Sequence, residues 1–232
     1  MNETARVNSH EWLKEKQRGL RDSFAPELGL RVHRSLSWLK RAETSEGDKD
    51  VQFISLWIGF NAAYAGDLDL ALDGREVEST RASGERERFN AFFASLVEMD
   101  QDSRIYGLIW KRFSQEIRLL LDNKYVFSPF WKHHAGQPGG AGWEITFESA
   151  KSAAQNALAS ENTAVVLSII FDRLYVLRNQ LFHGGATWAS STNRDQLRDG
   201  AALLGSLLPV FIDLMMDHPD QLWTAPNYPV VD

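Results

Sequence analysis

Apolar residues recur along this chain at spacings of three and four, the period of an amphipathic α-helix, and the period holds nearly from end to end. The pattern therefore predicts an all-α fold in which the helices pack as a bundle. The predicted helices cover residues 9–21, 27–43, 50–66, 85–99, 103–121, 146–159, 162–183 and 193–218.

Polar, glycine-containing stretches separate some of these helices. Residues 66–84 and 123–145 are predicted to be long loops, and the proline-rich tail, 222–232, is predicted to be extended. A chain of 232 residues without internal repeats is expected to form a single domain, 1–232. A long loop in a helical domain is usually functional or mobile, which draws attention to 123–145.

The segment 50–66 is apolar nearly all round, which predicts a helix through the middle of the bundle. Asp50 is expected to cap its first turn, and Gly66 is expected to end it. Asn61 is its notable polar residue. A buried asparagine needs hydrogen-bond partners, so it either satisfies neighbouring backbone or supports a site.

The last two helices carry end signals of their own. Gly184-Gly185 is expected to end helix 162–183. Asn193 with Gln196 resembles a capping box for the final helix. Pro209 lies inside that helix and is expected to kink it.

The composition is that of a soluble globular protein, since 44% of the residues are hydrophobic and 24% are charged. The lack of cysteine excludes disulfides, thiol nucleophiles and cysteine-based zinc sites, and it fits a reducing cytoplasm, where we expect the protein. The N-terminus lacks the apolar core of a secretory signal. The longest apolar run, 53–65, is shorter than the ~20 residues of a membrane span, so no membrane association is expected.

The formal net charge of −6 means that the whole molecule does not attract a phosphate backbone, so any nucleic-acid binding must come from a local patch or a confined site. Segment 123–145 contains three aromatic residues of interest, Phe130, Trp131 and Trp143. If exposed, they would mark a protein interface or a base-stacking surface, although a core role is usual for tryptophan. A basic cluster on the second helix is either a solvated face or part of a phosphate-binding surface: Arg31, His33, Arg34, Lys40 and Arg41.

Signatures of common enzyme classes are missing: there is no Walker-type loop, no GxSxG elbow, no HExxH motif and no dinucleotide fingerprint. His133 and His134 are adjacent, whereas two imidazoles reach one metal from positions four apart on a helix. We expect neither a metal site nor a bound cofactor. A small-molecule enzyme has no support beyond the clefts that any helical bundle offers.

The segment VLRNQLFHGG, at the end of helix 162–183, combines residues suited to phosphodiester chemistry. His183 exchanges protons near neutral pH, and a helix C-terminus favours its protonated ring. Arg178 is a permanent forked cation that suits phosphate. Asn179 shares a helix face with His183 and is placed to orient the imidazole. Together the three form a candidate site for metal-free cleavage of a phosphodiester.

The spacing of these residues raises a geometric question. Five residues advance a helix by about 500°, so Arg178 and His183 point about 140° apart on a straight helix. Within one molecule the two side chains meet only if the last helical turn unwinds or the arginine side chain reaches around the helix. Two copies related by a two-fold axis would bring both kinds of side chain into one groove. The spacing alone is weak, since such a pair occurs by chance about once in a chain of this composition.

In context, the motif resembles the signature of the HEPN superfamily: an arginine, a polar residue that is often asparagine, and a histidine at the end of a long helix in an all-α bundle. Arg178, Asn179 and His183 match all three positions. The resemblance implies a dimer in which the motif helices meet and RNA is cut without a metal, leaving a 2′,3′-cyclic phosphate and a 5′-hydroxyl. His183 would then act as acid/base, Arg178 would stabilise the pentacoordinate phosphate, and Asn179 would orient the site.

Other segments resemble a bacterial branch of HEPN-like proteins related to those found with abortive-infection and defence genes. They are DVQFISLWIGFNAAYAG (50–66), RSLSWLKRAE (34–43) and the stretch from Asn193, so the resemblance runs from about residue 27 to the C-terminus. It implies a homodimeric ribonuclease of a defence or toxin-like stress response, with RNA as substrate and an antitoxin or defence partner. The alternative is a catalytically silent dimeric module that binds RNA, a nucleotide or a partner protein.

Overall fold

The computed structural model describes residues 7–66, 71–72, 80–191, 193–221, 223–226, 228 and 230. Within these residues the secondary structure is helical and no strand is present, which confirms the predicted all-α class. The helices of seven residues or more are α1 (His10–Leu20), α2 (Pro26–Glu43), α3 (Lys49–Tyr64), α4 (Thr80–Met99), α5 (Ser114–Leu121), α6 (Ser128–His134), α7 (Trp143–Ala159), α8 (Thr163–Phe182) and α9 (Arg194–Asp217).

Helix α3 runs through the middle of the bundle, as its apolar sequence predicts. It packs against α2 and α9, while α8 packs against α4 and α7. Rings from four helices meet at Phe60 of α3, whose centroid lies 4.2 Å from Phe171 of α8, 6.0 Å from Phe93 of α4 and 6.4 Å from Phe211 of α9. This aromatic centre fixes α8, the helix that carries the motif, within the core.

Two helix caps differ from their predictions. The N-cap of α3 is Asp48, whose Oδ1 accepts hydrogen bonds from the backbone N–H groups of Asp50 and Val51, so the prediction of Asp50 was wrong. Asp50 is instead buried in the first turn, where it binds Arg194. The capping box of α9 was also wrong. Asn193 has a φ of 56° and makes no side-chain bond to that helix terminus, because its amide binds α8.

The stretch 103–121, predicted as one helix, is broken. A single turn, Arg104–Tyr106, continues as a π-helical turn, Gly107–Arg112, before α5 begins. The buried side chains in this stretch are spaced four residues apart, and on an α-helix each such step drifts by about 40° around the axis. A turn with i→i−5 bonding is wider and keeps them on one face. These residues are Ile105, Ile109, Phe113 and Ile117.

The predicted long loop 123–145 is partly helical, because it contains a 3₁₀ turn (Lys124–Val126), α6 and the start of α7. Buried rings here form a small apolar core separate from the main one: Phe127, Phe130 and Phe147. We call residues 123–147 the aromatic lobe. In the other predicted loop, α4 already begins at Thr80, while residues 67–70 and 73–79 lie outside the described part.

Helix α9 continues through Pro209 to Asp217. Among the described helices it is the one long and apolar enough for a membrane span by length and composition, and 78% of its most apolar window is buried inside the protein. Because the core helix of a soluble protein passes the same test, this is weak evidence for a span. Beyond α9, the described tail residues 223–226, 228 and 230 are not helical.

Candidate functional site at the end of α8

The motif lies where α8 stops. His183 is the C-cap residue, just beyond the last helical residue, Phe182. Gly184 follows with a φ of 69°, and the backbone N–H groups of Gly184 and Gly185 donate to carbonyls of the last helical turn. This pairing is a Schellman motif, which confirms the predicted stop. His183 therefore occupies a defined position at the helix end.

Arg178 and Asn179 are in direct contact. Arg178 Nη1 donates to Asn179 Oδ1 at 2.7 Å. The guanidinium carbon lies 4.5 Å from the centre of the Phe182 ring and 5.7 Å from that of Tyr175, so the cation rests on aromatic faces. Tyr175 is about one turn before Arg178 and Phe182 is one turn after it, so the guanidinium lies between these two rings.

His183 is exposed, and within the described part of the chain its imidazole makes no hydrogen bond or ion pair. The structure thus brings two of the three motif side chains together and leaves the third in solvent. Asn179 was expected to orient the imidazole, but its Oδ1 accepts a hydrogen bond from the arginine. An exposed imidazole remains accessible to a substrate.

The described residues that follow the motif are bonded back to the bundle; we call residues 183–191 and 193 the strap. At its far end Asn193 Nδ2 donates to Gln180 Oε1 of α8 at 2.6 Å. The next residue, Arg194, binds both carboxylate oxygens of Asp50 at 2.7 and 3.0 Å. The hydrogen bond to Asp50 raises the pKa of Arg194, so the guanidinium stays charged.

The middle of the strap is held by α3. Trp188 Nε1 donates to Asp48 Oδ2 at 2.9 Å, and the backbone N–H of Ala189 donates to Asp50. The bond from Trp188, together with those from the backbone of Val51 and Asp50, lowers the pKa of the Asp48 carboxyl group. Sequence reasoning missed these contacts, because Asp48 and Trp188 are 140 residues apart and no local signal joins them.

The residues of the basic cluster on α2 differ in their burial and in their hydrogen bonds. Arg31 is only 2% exposed and donates to the carbonyl oxygens of Ala63 and Tyr64 at the end of α3. Its burial lowers its pKa to about 10. Arg34 donates to Tyr228 O in the tail. The guanidinium of Arg31 thus makes its hydrogen bonds inside the protein, whereas the exposed members of the cluster are His33, Lys40 and Arg41.

Of the three aromatic residues singled out in the lobe, only Trp131 is exposed. Phe130 is buried, and Trp143 is half-buried with its ring 4.9 Å from that of Phe130. Trp131 is 42% exposed, and its Nε1 donates to Tyr125 O at 2.8 Å. Two of the three therefore serve the lobe's own core and not an interface.

A cleft of about 530 Å³ lies between the lobe, α5 and the start of α9. Its lining contains apolar side chains, Lys124 and Glu116, together with three carboxylates that are paired with cations. Asp122 pairs with Lys151, and Asp195 and Asp199 pair with Arg198. Among the described residues no group of three metal-ligating side chains occurs. His133 and His134 lie in α6 with ring centroids 5.2 Å apart.

No protein-family model, curated protein or solved structure matches the chain. The function is therefore inferred from the residues at the end of α8 and from their geometry.

Proposed function

We propose that the protein is a metal-independent endoribonuclease whose site lies at the C-terminal end of α8. One observation carries the proposal: the exposed imidazole of His183 follows, at a helix end, a guanidinium that Asn179 and Phe182 hold in place. A proton-transferring group and a fixed cation are the components that metal-free cleavage of a phosphodiester needs.

In the proposed reaction His183 accepts the proton of the ribose 2′-hydroxyl, and the 2′ oxygen attacks phosphorus. The bond from phosphorus to the 5′ oxygen breaks, and that oxygen takes a proton from an imidazolium or from water. Arg178 binds the oxygens of the pentacoordinate phosphate and offsets their added charge. Asn179 is a positioning residue that holds the guanidinium. The products are a 2′,3′-cyclic phosphate and a 5′-hydroxyl.

A homodimer is part of the proposal. On a straight helix Arg178 and His183 would point about 140° apart, so an arginine of one copy and a histidine of the other complete a site more easily than two groups of one copy. Phe182, between them in sequence, is 46% exposed, and a contact between copies would cover such an apolar ring. The HEPN resemblance supports a role in defence or a toxin-like stress response, with an antitoxin or defence partner, and the lack of cysteine fits a cytoplasmic location.

A catalytically silent dimeric module that binds RNA, a nucleotide or a partner protein is the second candidate. The net charge of −6 favours the form of this module that binds a partner protein, since it opposes the approach of an RNA backbone.

The test is incubation of the purified protein with mixed RNA in EDTA, beside His183→Ala, Arg178→Ala and, as the matched control, His33→Ala on the exposed face of α2. Wild type and the control should cleave with cyclic-phosphate ends, and His183→Ala should be about 10²–10⁴-fold slower. A DNA strand of the same sequence should remain intact, because it lacks the 2′ nucleophile. Cleavage that His183→Ala leaves unchanged would contradict the mechanism, and absence of cleavage would favour the silent module.

A further inference from the structure

Trp188, in the middle of the strap, is 74% exposed. Single exposed apolar side chains are common on protein surfaces, so exposure alone carries no inference. The ring of Trp188 is held in place while it remains exposed. Its Nε1 donates to Asp48 Oδ2, and Asp48 is itself fixed as the N-cap of α3.

The backbone around the ring is also held. Ser190 N–H donates to Thr187 O at 3.0 Å, which closes a turn around Trp188. Ala189 has a φ of 55°, and its N–H donates to Asp50 Oδ2. The ring is therefore presented to solvent in a defined orientation, which lowers the entropic cost of binding a ligand to it.

The strap also keeps Trp188 near the candidate site. Trp188 follows His183 by five residues, which span at most about 17 Å of chain. Beyond Trp188 the strap returns to α8, where Asn193 binds Gln180. The ring thus lies within the reach of a few nucleotides of single strand from the imidazole.

From this arrangement we infer that Trp188 is a stacking residue for a nucleobase flanking the cleaved phosphate, an inference that rests on the proposed ribonuclease function. Every base offers a π-face, so stacking tolerates different sequences. It also needs no positive charge, which suits an acidic protein. Because the indole N–H is already bound by Asp48, the ring contributes its faces and not a base-specific hydrogen bond.

The experiment measures binding of a fluorescein-labelled single-stranded RNA of mixed sequence with 2′-O-methyl groups throughout, followed by fluorescence anisotropy. This probe has no 2′ nucleophile, so binding is measured without cleavage. The variants are Trp188→Ala and Trp188→Phe. The matched control is Trp38→Ala, which removes an exposed tryptophan that lies on α2 and not on the strap or α8. Thermal melts establish that each variant is folded.

Trp188→Ala should weaken binding about 5- to 150-fold, which corresponds to ~1–3 kcal/mol at 1.4 kcal/mol per tenfold. Trp188→Phe keeps a ring but loses the anchoring bond, so its affinity should lie between those of wild type and Trp188→Ala. Trp38→Ala should bind within about twofold of wild type, because the ring that it removes lies on α2, outside the strap and the end of α8.

Equal affinity of wild type and Trp188→Ala overturns the inference, and it leaves the ribonuclease proposal intact if wild type cleaves RNA. Binding that depends on Trp188 without cleavage supports base stacking by Trp188, but it contradicts the ribonuclease proposal and with it the place of that base beside a cleaved phosphate. A protein that neither binds the probe nor cleaves RNA contradicts both. If Trp188→Ala instead dissociates a dimer in sedimentation while RNA affinity is unchanged, the ring is a contact between copies and the stacking role is refuted.

Discussion

Replacing Arg31 with methionine removes a buried cation from the end of α3 while keeping most of the apolar stem. The guanidinium donates to Ala63 O, Tyr64 O and, at 3.2 Å, Thr224 O of the tail. It also lies 5.1 Å from the centre of the Trp223 ring. The last carbonyls of a helix carry partial negative charge, so a cation stabilises them.

The expected loss in the free energy of unfolding follows from these contacts. A hydrogen bond to a charged group contributes ~1.5–3 kcal/mol, and two of the acceptors are buried carbonyls of α3 that methionine leaves unpaired. The penalty for burying the guanidinium, which also lowers its pKa, offsets part of this gain. We expect a loss of ~2–4 kcal/mol in the free energy of unfolding, or about 4–16 °C in Tm for a chain of this length.

Urea and thermal unfolding, followed by circular dichroism, measure this loss. Arg34→Met is the matched control, because Arg34 lies three residues further along α2 and also donates to a tail carbonyl, but from the surface. It should change stability by about 0.5 kcal/mol or less. Equal losses in the two variants would refute the reasoning. An Arg31→Met protein of normal stability and weakened RNA binding would instead restore the phosphate-binding interpretation of the cluster.

Two further predictions concern charges at other helix ends. Arg194→Gln leaves Asp50 buried without its cation and should lower the free energy of unfolding, measured in urea, by ~3 kcal/mol. The matched control is Arg198→Gln, which breaks only ion pairs of an exposed arginine and should lower it by ~1 kcal/mol or less. Similar losses in the two variants would contradict the role of Arg194 as the partner of a buried carboxylate. Burial, then Lys40 and Lys14, lower the pKa of His10 below 6.5, so the unfolded chain binds the proton more readily and stability should fall as the pH drops below about 6.5. His10→Gln should flatten this decline in urea midpoints measured from pH 7.5 to 5, and an unchanged decline would show that other groups cause it.

The amino-acid sequence determined the helices and the position of the motif because those signals are local. Helix 162–183 was predicted within one residue of each end of α8, since the apolar period and Gly184-Gly185 lie within it or next to it. The all-round apolar character of α3 likewise determined that it lies in the core. The motif at a helix end comes from sequence, and the relationship, the activity and the cytoplasmic location that were inferred from sequence stay predictions.

Tertiary structure alone decided which polar groups meet. Two aspartates, Asp48 and Asp50, begin α3, and only the approach of the strap and of Arg194 shows that the first caps the helix and the second binds a cation. Arg31 has the sequence surroundings of a surface arginine, yet it is buried, because the end of α3 and the tail lie against it. The helical period records which face of a helix is apolar. It carries no information about which distant segment will cover that face, so the partners of buried charges and the anchoring of Trp188 emerge only when the helices pack.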